Sequence, residues 1–324
     1  MAWGGMVFTS GWVLRTIASY DPNNLNLYIA QTCLILGGPP IYAAAEYNIL
    51  GRLMHYVPMH APLHPGRLVI FFIYVGTAVE SLTAAGASLL SAAADDPAAH
   101  RRGGTLIAIA LVLQAAVELG YMSLVVLMHR RCIRANTLPR NLRTIFWMLY
   151  GTSSLVLLRC ICRAIEAFSV DLVTNPAQCG PGTPCYFFLR HEWYLFAFEA
   201  APMLIYTYWL NIIHPGRFLP RNKLRYLDVD GQTERLGPGW IDLRRRWETF
   251  ADPWDLTNTV RGEPKHEKFW LKPEQFPVAE GGSFALGTAS NVGGGPMVNT
   301  RALRKLRTGP ETTYSPVDGY DGRA

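Results

Sequence analysis

The sequence predicts an all-α fold, a polytopic transmembrane helix bundle, on three observations. Half of the 324 residues are hydrophobic and only 17% are charged, where soluble domains carry about 25% charge. The charges are also unevenly placed: residues 1–214 hold 13 Arg, 10 Asp or Glu and no Lys, and the rest lie beyond His214. Finally, five stretches reach the length of about 20 apolar residues that a helix needs to cross a hydrocarbon core of about 30 Å. A soluble α-domain is the alternative, but its helices would average about 11–12 residues with polar outer faces. These segments run about twice as long and have no such faces.

The expected spans are Leu27–Leu50, Leu68–Ala93, Gly104–Met128, Thr144–Ser169 and Glu192–Ile213. Ahead of them, residues 1–20 form a partial hydrophobic segment, apolar from Trp3 to Ile17 except for Arg15. It is too short for a full span and lacks the basic start and small-residue cleavage site of a signal peptide. It reads as an interfacial helix or part of a longer one. Residues 21–216 hold the bundle. Residues 217–278 are a juxtamembrane tail that mixes charges with Trp240, Trp247, Trp254 and Trp270, which suits either segments on the membrane surface or a partly ordered linker. Residues 279–324 are rich in Gly, Ser, Thr and Pro, the composition of a disordered tail.

Orientation follows from the basic residues of the connections. Arg52 and Arg67, the five arginines between Arg130 and Arg143, and Arg217, Arg221, Lys223 and Arg225 fall on one side. Arg101, Arg102 and Arg190 fall on the other. The richer side is expected to be cytosolic, with the carboxy terminus on it. The chain is assigned to the plasma membrane, with a vacuolar or other endomembrane as the alternative. Cys179 and Cys185 share the loop NPAQCGPGTPC on the opposite side, where an oxidising compartment favours a disulfide over two free thiols. That loop's spacing does not make a metal site, and no cofactor is implied. The tail carries 17 basic and 14 acidic residues without a long basic run, so nucleic-acid binding has little support.

Motifs of soluble chemistry are missing. There is no phosphate-binding GxxxxGK[ST] loop and no GxSxG nucleophile elbow. His191-Glu192 opens like a zinc-protease HExxH, but position 195 is Leu. No enzymatic activity is assigned.

The informative residues are those that lipid disfavours. An ionisable group within a span costs about 2.5–3.5 kcal/mol on insertion scales, so it faces the bundle interior and marks function. Glu46, Glu80 and Glu118 fall on three different helices, with Gln114 one turn from Glu118 on the same face. Glu46 by itself reads as a structural pair or a group snorkelling near a helix end. In LLRCICRAIE, Arg159, Arg163 and Glu166 fall at i, i+4 and i+7, within about 60° of one another on a helix. In HEWYLFAFEAAPM, Glu192 and Glu199 are likewise seven apart, with His191 beside them. If the two helices lie side by side, Arg163 can meet Glu166 or Glu192, and the deeper Arg159 can meet Glu199. The candidate substrate-binding set is therefore Arg159, Arg163, Glu166, His191, Glu192, Glu199, Gln114 and Glu118.

The run NLNLYIAQTCLILGGPPIYAAAEYNILGR resembles the corresponding helix of the fungal lipid-translocating exporters, the RTA-like proteins of the aminocholesterol-resistance type. RCICRAIE resembles that family's Arg-x-x-x-Arg-x-x-Glu helix, and HEWYLFAFEAAPM followed by HPG resembles its last helix, with Glu199 where an Asp is usual. The resemblance covers roughly Gly11 to Gly216 and implies seven helices, an outside amino terminus and a cytosolic tail. Five full spans and a partial one are visible, so the family's first helix and much of its second are expected upstream, absent through a truncated gene model or because the chain is a fragment. Gly76 and Thr83 stand where the family usually has an Asp and a Gln.

The resemblance implies export of amphipathic lipids such as sphingoid bases or sterol-like compounds, with a role in toxic-lipid or drug resistance. Membrane lipids and such a ligand are the expected partners, and the oligomeric state is left open. Two other classes fit the same residues. One is a seven-helix receptor or lipid-stress sensor that signals through the tail. The other is an intramembrane lipid-modifying enzyme with His191 and the glutamates as acid and base. The small-residue run AAGASLLSAAA, starting at Ala84, predicts close helix packing within the chain rather than between copies.

Overall fold

A computed structural model describes residues 2–21, 24–92, 97–170, 191, 193–240, 246–252, 268–280 and 282–287. Six helical runs carry the bundle: α1 (Ala2–Ala18), α2 (Leu25–Tyr56), α3 (Pro65–Ala92), α4 (Pro97–Arg134), α5 (Arg140–Val170) and α6. The last is a helical turn Trp193–Leu195, a π-helical turn Phe196–Ala200 and an α-helix Ala201–Ile212 in unbroken succession. Four of the described helices are long and apolar enough to cross a membrane: Asn26–Tyr56, Pro65–Leu89, Arg101–Arg134 and Arg140–Phe168. They coincide with four of the five spans expected, the fifth falling on the interrupted helical run α6, and the fold class is the helical bundle the composition predicts.

The helices run past the apolar stretches because chain chemistry, not hydrophobicity, ends them. Helix α2 ends at Tyr56, two residues before Pro58, and α3 and α4 both open on a proline, a residue well suited to a first helical turn. The end of α4 is a left-handed cap: Asn136 has φ 53°, Thr137 N–H bonds the Cys132 carbonyl at 3.1 Å and Asn136 N–H bonds that of Ile133 at 3.0 Å. At 38 residues, α4 is about 57 Å long, well beyond the hydrocarbon thickness.

Sequential helices pack as neighbours, α1 on α2 through to α5 on α6. Trp12 of α1 stacks at 5.1 Å against Phe196 of α6 and closes the ring. The segment expected to be interfacial or partial is thus a helix laid lengthwise on α2. Small residues make that approach possible: a methyl on Gly11 would stand 2.9 Å from Ile35, and one on Gly38 would stand 2.8 Å from Phe8. Gly86, in the small-residue run, is as tight against Ile107 of α4 at 2.7 Å, which is packing within the chain.

The pattern of burial is inverted relative to a soluble protein. Ile109, Val112, Leu119, Leu158, Ile161, Ile165, Leu204 and Ile205 are exposed on the outer surface, while Glu46, Glu118, Arg159 and Glu199 are buried. At the end carrying Arg52 and Arg131, the interior is sealed by Leu50, Leu53, Met54, Ile145, Phe146 and Leu149, all with no exposure.

The tail folds over that sealed end. A hairpin of β1 (Arg225–Leu227) and β2 (Glu234–Leu236) pairs Tyr226 with Arg235, turning at Gly231 with φ 70°. Arg52 donates to the Leu219 and Pro220 carbonyls at 3.3 and 2.8 Å, and Tyr56 donates to Glu234 at 2.6 Å. Trp240 and Trp270 pack together at 5.2 Å beside Phe269 and Tyr226 instead of lying outward, whereas Trp247 is exposed. Phe284 and Ala285 are buried in the main core, and Asn141 of α5 donates to the Phe284 carbonyl at 2.7 Å. The ordered tail therefore extends beyond the composition boundary at residue 279, because two apolar residues in a polar stretch found a place in the core. Trp254 lies outside the described residues.

Candidate functional site: a buried polar cluster

The stripe on α5 meets the π-helical turn of α6. Arg159, 1% exposed, donates from Nε to Glu199 Oε1 at 2.7 Å, with its Nη2 2.5 Å from the same oxygen. Glu199 has no exposure. One turn further along α5, Arg163 donates to Glu166 at 2.6 Å, and its Nε lies 3.5 Å from Glu199 Oε2. Exposure rises along the row, to 20% at Arg163 and 28% at Glu166. One end of the cluster is thus sealed and the other half-open. Glu80 of α3 faces Arg159 as well.

The π-helical turn is local to this site. Ala201 N–H bonds the Phe196 carbonyl, five residues back, which widens the helix by one residue and is a common mark of function. Glu199 sits inside that turn, followed at once by Pro202 in the first turn of the next segment. Proline has no N–H to continue the ladder, which favours the irregular turn before it.

A second layer lies deeper. Glu118 of α4, 2% exposed, accepts a short hydrogen bond from Ser153 of α5. Glu46 of α2 has no exposure and is within electrostatic reach of Glu118. Around them are Tyr121, which donates to the Glu46 carbonyl at 3.2 Å, and Tyr206, which donates to the Tyr42 carbonyl at 2.9 Å. Tyr47 stacks on Phe72 at 4.7 Å. Cys160 sits between the layers, close to Arg159, Glu118 and Glu199.

The structure therefore brings together Arg159, Arg163, Glu166 and Glu199, and sets Glu118 one layer below. Gln114 is half-buried and makes no side-chain hydrogen bond to a described residue. His191 is exposed at the start of α6, away from the buried layers. Glu192, Cys179 and Cys185 lie outside the described residues. The other four cysteines are free. Of the two positions where the family's polar pair is replaced, Thr83 is buried and bonds its own helix at Val79, and Gly76 has open space beside it.

Glu46 corrects the snorkelling expectation. Ending the helix at Leu50 put Glu46 near an edge, but α2 runs on to Tyr56. Glu46 has no exposure and lies inside the bundle, so its carboxyl does not reach along the helix to an exposed end. The signal was available in the absence of any proline between Pro40 and Pro58. Ser153, Tyr121 and Tyr206 were also missed, since a hydroxyl in an apolar span carries no distinguishing pattern.

A bundle with an apolar exterior and buried ion pairs is an integral, multi-pass membrane protein. The profile described as "RTA1 like protein" matches residues 1–222, and the chain belongs to that family. It is 37% identical over 247 residues to the "Lipid-translocating exporter-like protein RTA1" of Leptosphaeria maculans, covering 72% of this chain and 46% of that protein. It is 30% identical over 266 residues to the protein of the same name in Ajellomyces capsulatus, covering 79% and 80%. The "Protoporphyrin uptake protein 1" of Saccharomyces cerevisiae is 29% identical over 202 residues, 60% of this chain and 61% of that one. The chain thus spans less than half of the first relative's length. No solved structure matches it to a significant degree.

Proposed function

We propose that this protein is a lipid translocator that moves amphipathic lipids across the membrane, with sphingoid bases or sterol-like amines as the substrate class. The observation that carries the reading is the row Glu166, Arg163, Glu199 and Arg159, half-open at one end and sealed at the other, inside a bundle whose exterior is apolar. Such a row can hold a charged headgroup while the hydrocarbon chain stays in lipid. Arg163 can exchange its carboxylate partner for a phosphate or carboxylate, and Glu166 can exchange its own for an amine. The names of two relatives as lipid-translocating exporter-like proteins support the same class.

In this reading the protein lies in the plasma membrane with its tail in the cytosol, and the half-open end faces the outer leaflet. His191, just ahead of α6 and exposed, and its sequence neighbour Glu192 are proposed to serve the mouth of the site. The test is release of sphingoid bases and sterol amines from cells overexpressing the chain. Arg163→Ala and Glu192→Gln are expected to abolish release while the protein reaches the membrane in normal amount. Unchanged release from both variants sinks the assignment of the site. Restored folding and transport in the double charge swap Arg163→Glu with Glu192→Arg would make that pair structural only.

A receptor reading has one observation in its favour, the bond from Tyr56 at the end of α2 to Glu234 in the tail. Lipid tolerance that survives removal of the tail excludes it as the main activity.

A further inference from the structure

Glu46 and Glu118 have no guanidinium, ammonium or imidazolium partner among the described residues, since the nearest arginine, Arg159, is bonded to Glu199. Both carboxylate oxygens of Glu46 are buried and receive no hydrogen bond. The hydroxyls beside that carboxyl, of Tyr206 and Thr152, each own one proton. Tyr206 spends its proton on the Tyr42 carbonyl at 2.9 Å, and Thr152 spends its own on the Met148 carbonyl at 3.1 Å. Tyr121 likewise donates to the Glu46 backbone carbonyl. With their protons directed at those backbone carbonyls, the two hydroxyls are not aligned to donate to the Glu46 carboxyl, whose oxygens lack a partner of good geometry. A proton on Glu46 would pair the carboxyl with the hydroxyl oxygens beside it.

Energetics agree with that count. An ionised carboxylate in an apolar interior without a paired charge is expensive enough that the group takes up a proton instead, and two neighbouring carboxylates discourage each other's ionisation. The other titratable or charged groups facing the pair are Tyr47 on α2, Tyr121 on α4, Cys160 on α5 and Tyr206 on α6. The pair Arg159–Glu199 and Glu80 of α3 stand a layer away. None of the residues adjoining the carboxyls supplies a positive charge.

We propose that Glu46 and Glu118 form a proton-binding site in the bundle interior, and that its proton exchanges one-for-one with a cationic lipid headgroup at the Arg159 cluster. The exchange balances charge. When the proton leaves Glu46 for water, the new carboxylate draws Arg159 through the Cys160–Glu118 layer, which loosens Glu199. The freed Glu199 then accepts one ammonium, and the interior charge is unchanged. Reprotonation of Glu46 reverses the sequence and expels the amine. The proton site stands on geometry alone, whereas the exchange rests on the translocator reading.

Two measurements separate these halves. The first is infrared spectroscopy of the purified full chain in a maltoside detergent, which has no carbonyl group, at about pH 7, where a solvated glutamate with a pKa of about 4.3 is ionised. The expected result is a C=O stretching band of a protonated carboxyl that is lost in Glu46→Gln and shifted in frequency in Glu118→Gln, which changes the group beside it. Gln is isosteric with protonated Glu, and having two variants covers a failure of either to fold. A band absent from the wild type, retained in Glu46→Gln, unshifted in Glu118→Gln, or abolished by sodium or potassium chloride at constant pH overturns the proton site. The second is accumulation of a labelled sphingoid base in proteoliposomes under an imposed pH gradient. One-for-one exchange sets about tenfold accumulation per pH unit, lost in Glu46→Gln. Wild-type transport indifferent to the gradient overturns the exchange and leaves the translocator reading intact. A wild type that shows the band but moves no lipid overturns the translocator reading and leaves the proton site.

Discussion

Arg159 is the residue on which the interior depends most, being the largest side chain among those with almost no exposure. Its ion-pair partner among the described residues is Glu199, and the pair is almost wholly buried. Removing one member of such a pair leaves a buried uncompensated charge and costs about 3–5 kcal/mol, whereas replacing both by apolar residues is often neutral or stabilising. Glu199→Leu or Arg159→Met alone is therefore expected to lower the thermal stability of the detergent-purified protein sharply. The double variant should recover most of it, yet release no lipid. A double variant as unstable as the singles would show that the polar cluster itself holds the helices together. Arg163 differs because it is partly exposed and paired with Glu166 on its own helix, so its loss should cost little stability, about 0–1 kcal/mol, and act on transport. The seven-residue spacing that put Arg159, Arg163 and Glu166 on one face was readable from the chain. That Arg159 would take Glu199, and Arg163 its own helix neighbour, depended on how closely α5 and α6 approach.

At the scale of the helix, packing is set by glycine where two backbones touch. A side chain at Gly86 would meet Ile107 at 2.7 Å and the Gly103 carbonyl at 2.9 Å, while nothing lies within 4 Å of one at Gly76. Gly86→Val is expected to force α3 from α4 and to cost about 1–3 kcal/mol by overpacking, read as a lower melting temperature. Gly76→Ala should leave melting unchanged. Equal losses from the two would mean that helix propensity rather than contact governs both sites. All five expected spans were recognisable from hydropathy, since lipid demands a continuous apolar run. Their ends were not, because polar turns beyond the hydrocarbon stay helical until a proline or a left-handed residue such as Asn136 stops them. Nor was the π-helical turn at Glu199 visible, since it repeats no pattern and is only favoured by Pro202.

For the whole molecule, the open question of chemistry is which way the bundle sits in its membrane. The tail residues Glu234, Phe284 and Ala285 are tied to the end that holds Arg52, Tyr56 and Asn141, so the tail and the arginine-rich loops share a side. On the basic-residue bias we propose that this side faces the cytosol. A tag after Ala324 is expected to resist external protease in intact cells, and Cys179 and Cys185 to resist thiol reagents until reduced. Cleavage of the tag would invert the orientation and place the cysteine loop in a reducing compartment, which would also remove the ground for the disulfide. Glu234 gathers Tyr56, Arg225, Ser283 and the Ala285 amide, and it was inconspicuous in a tail whose composition suggested a linker.

The sequence by itself determined that the chain is a membrane bundle, roughly where its spans lie and which face of α5 is polar, because lipid imposes length and hydrophobicity locally and a helix imposes its period. The tertiary structure alone decided that Glu46 and Glu118 meet without a cation and that Phe284 joins the core, and it turned the conditional pairing of Arg159 with Glu199 into a buried ion pair. Those outcomes depend on residues far apart in the chain, Glu46 and Glu118 on α2 and α4 among them, and on which side chains are left to satisfy a buried charge. No local pattern records the distance between two helices.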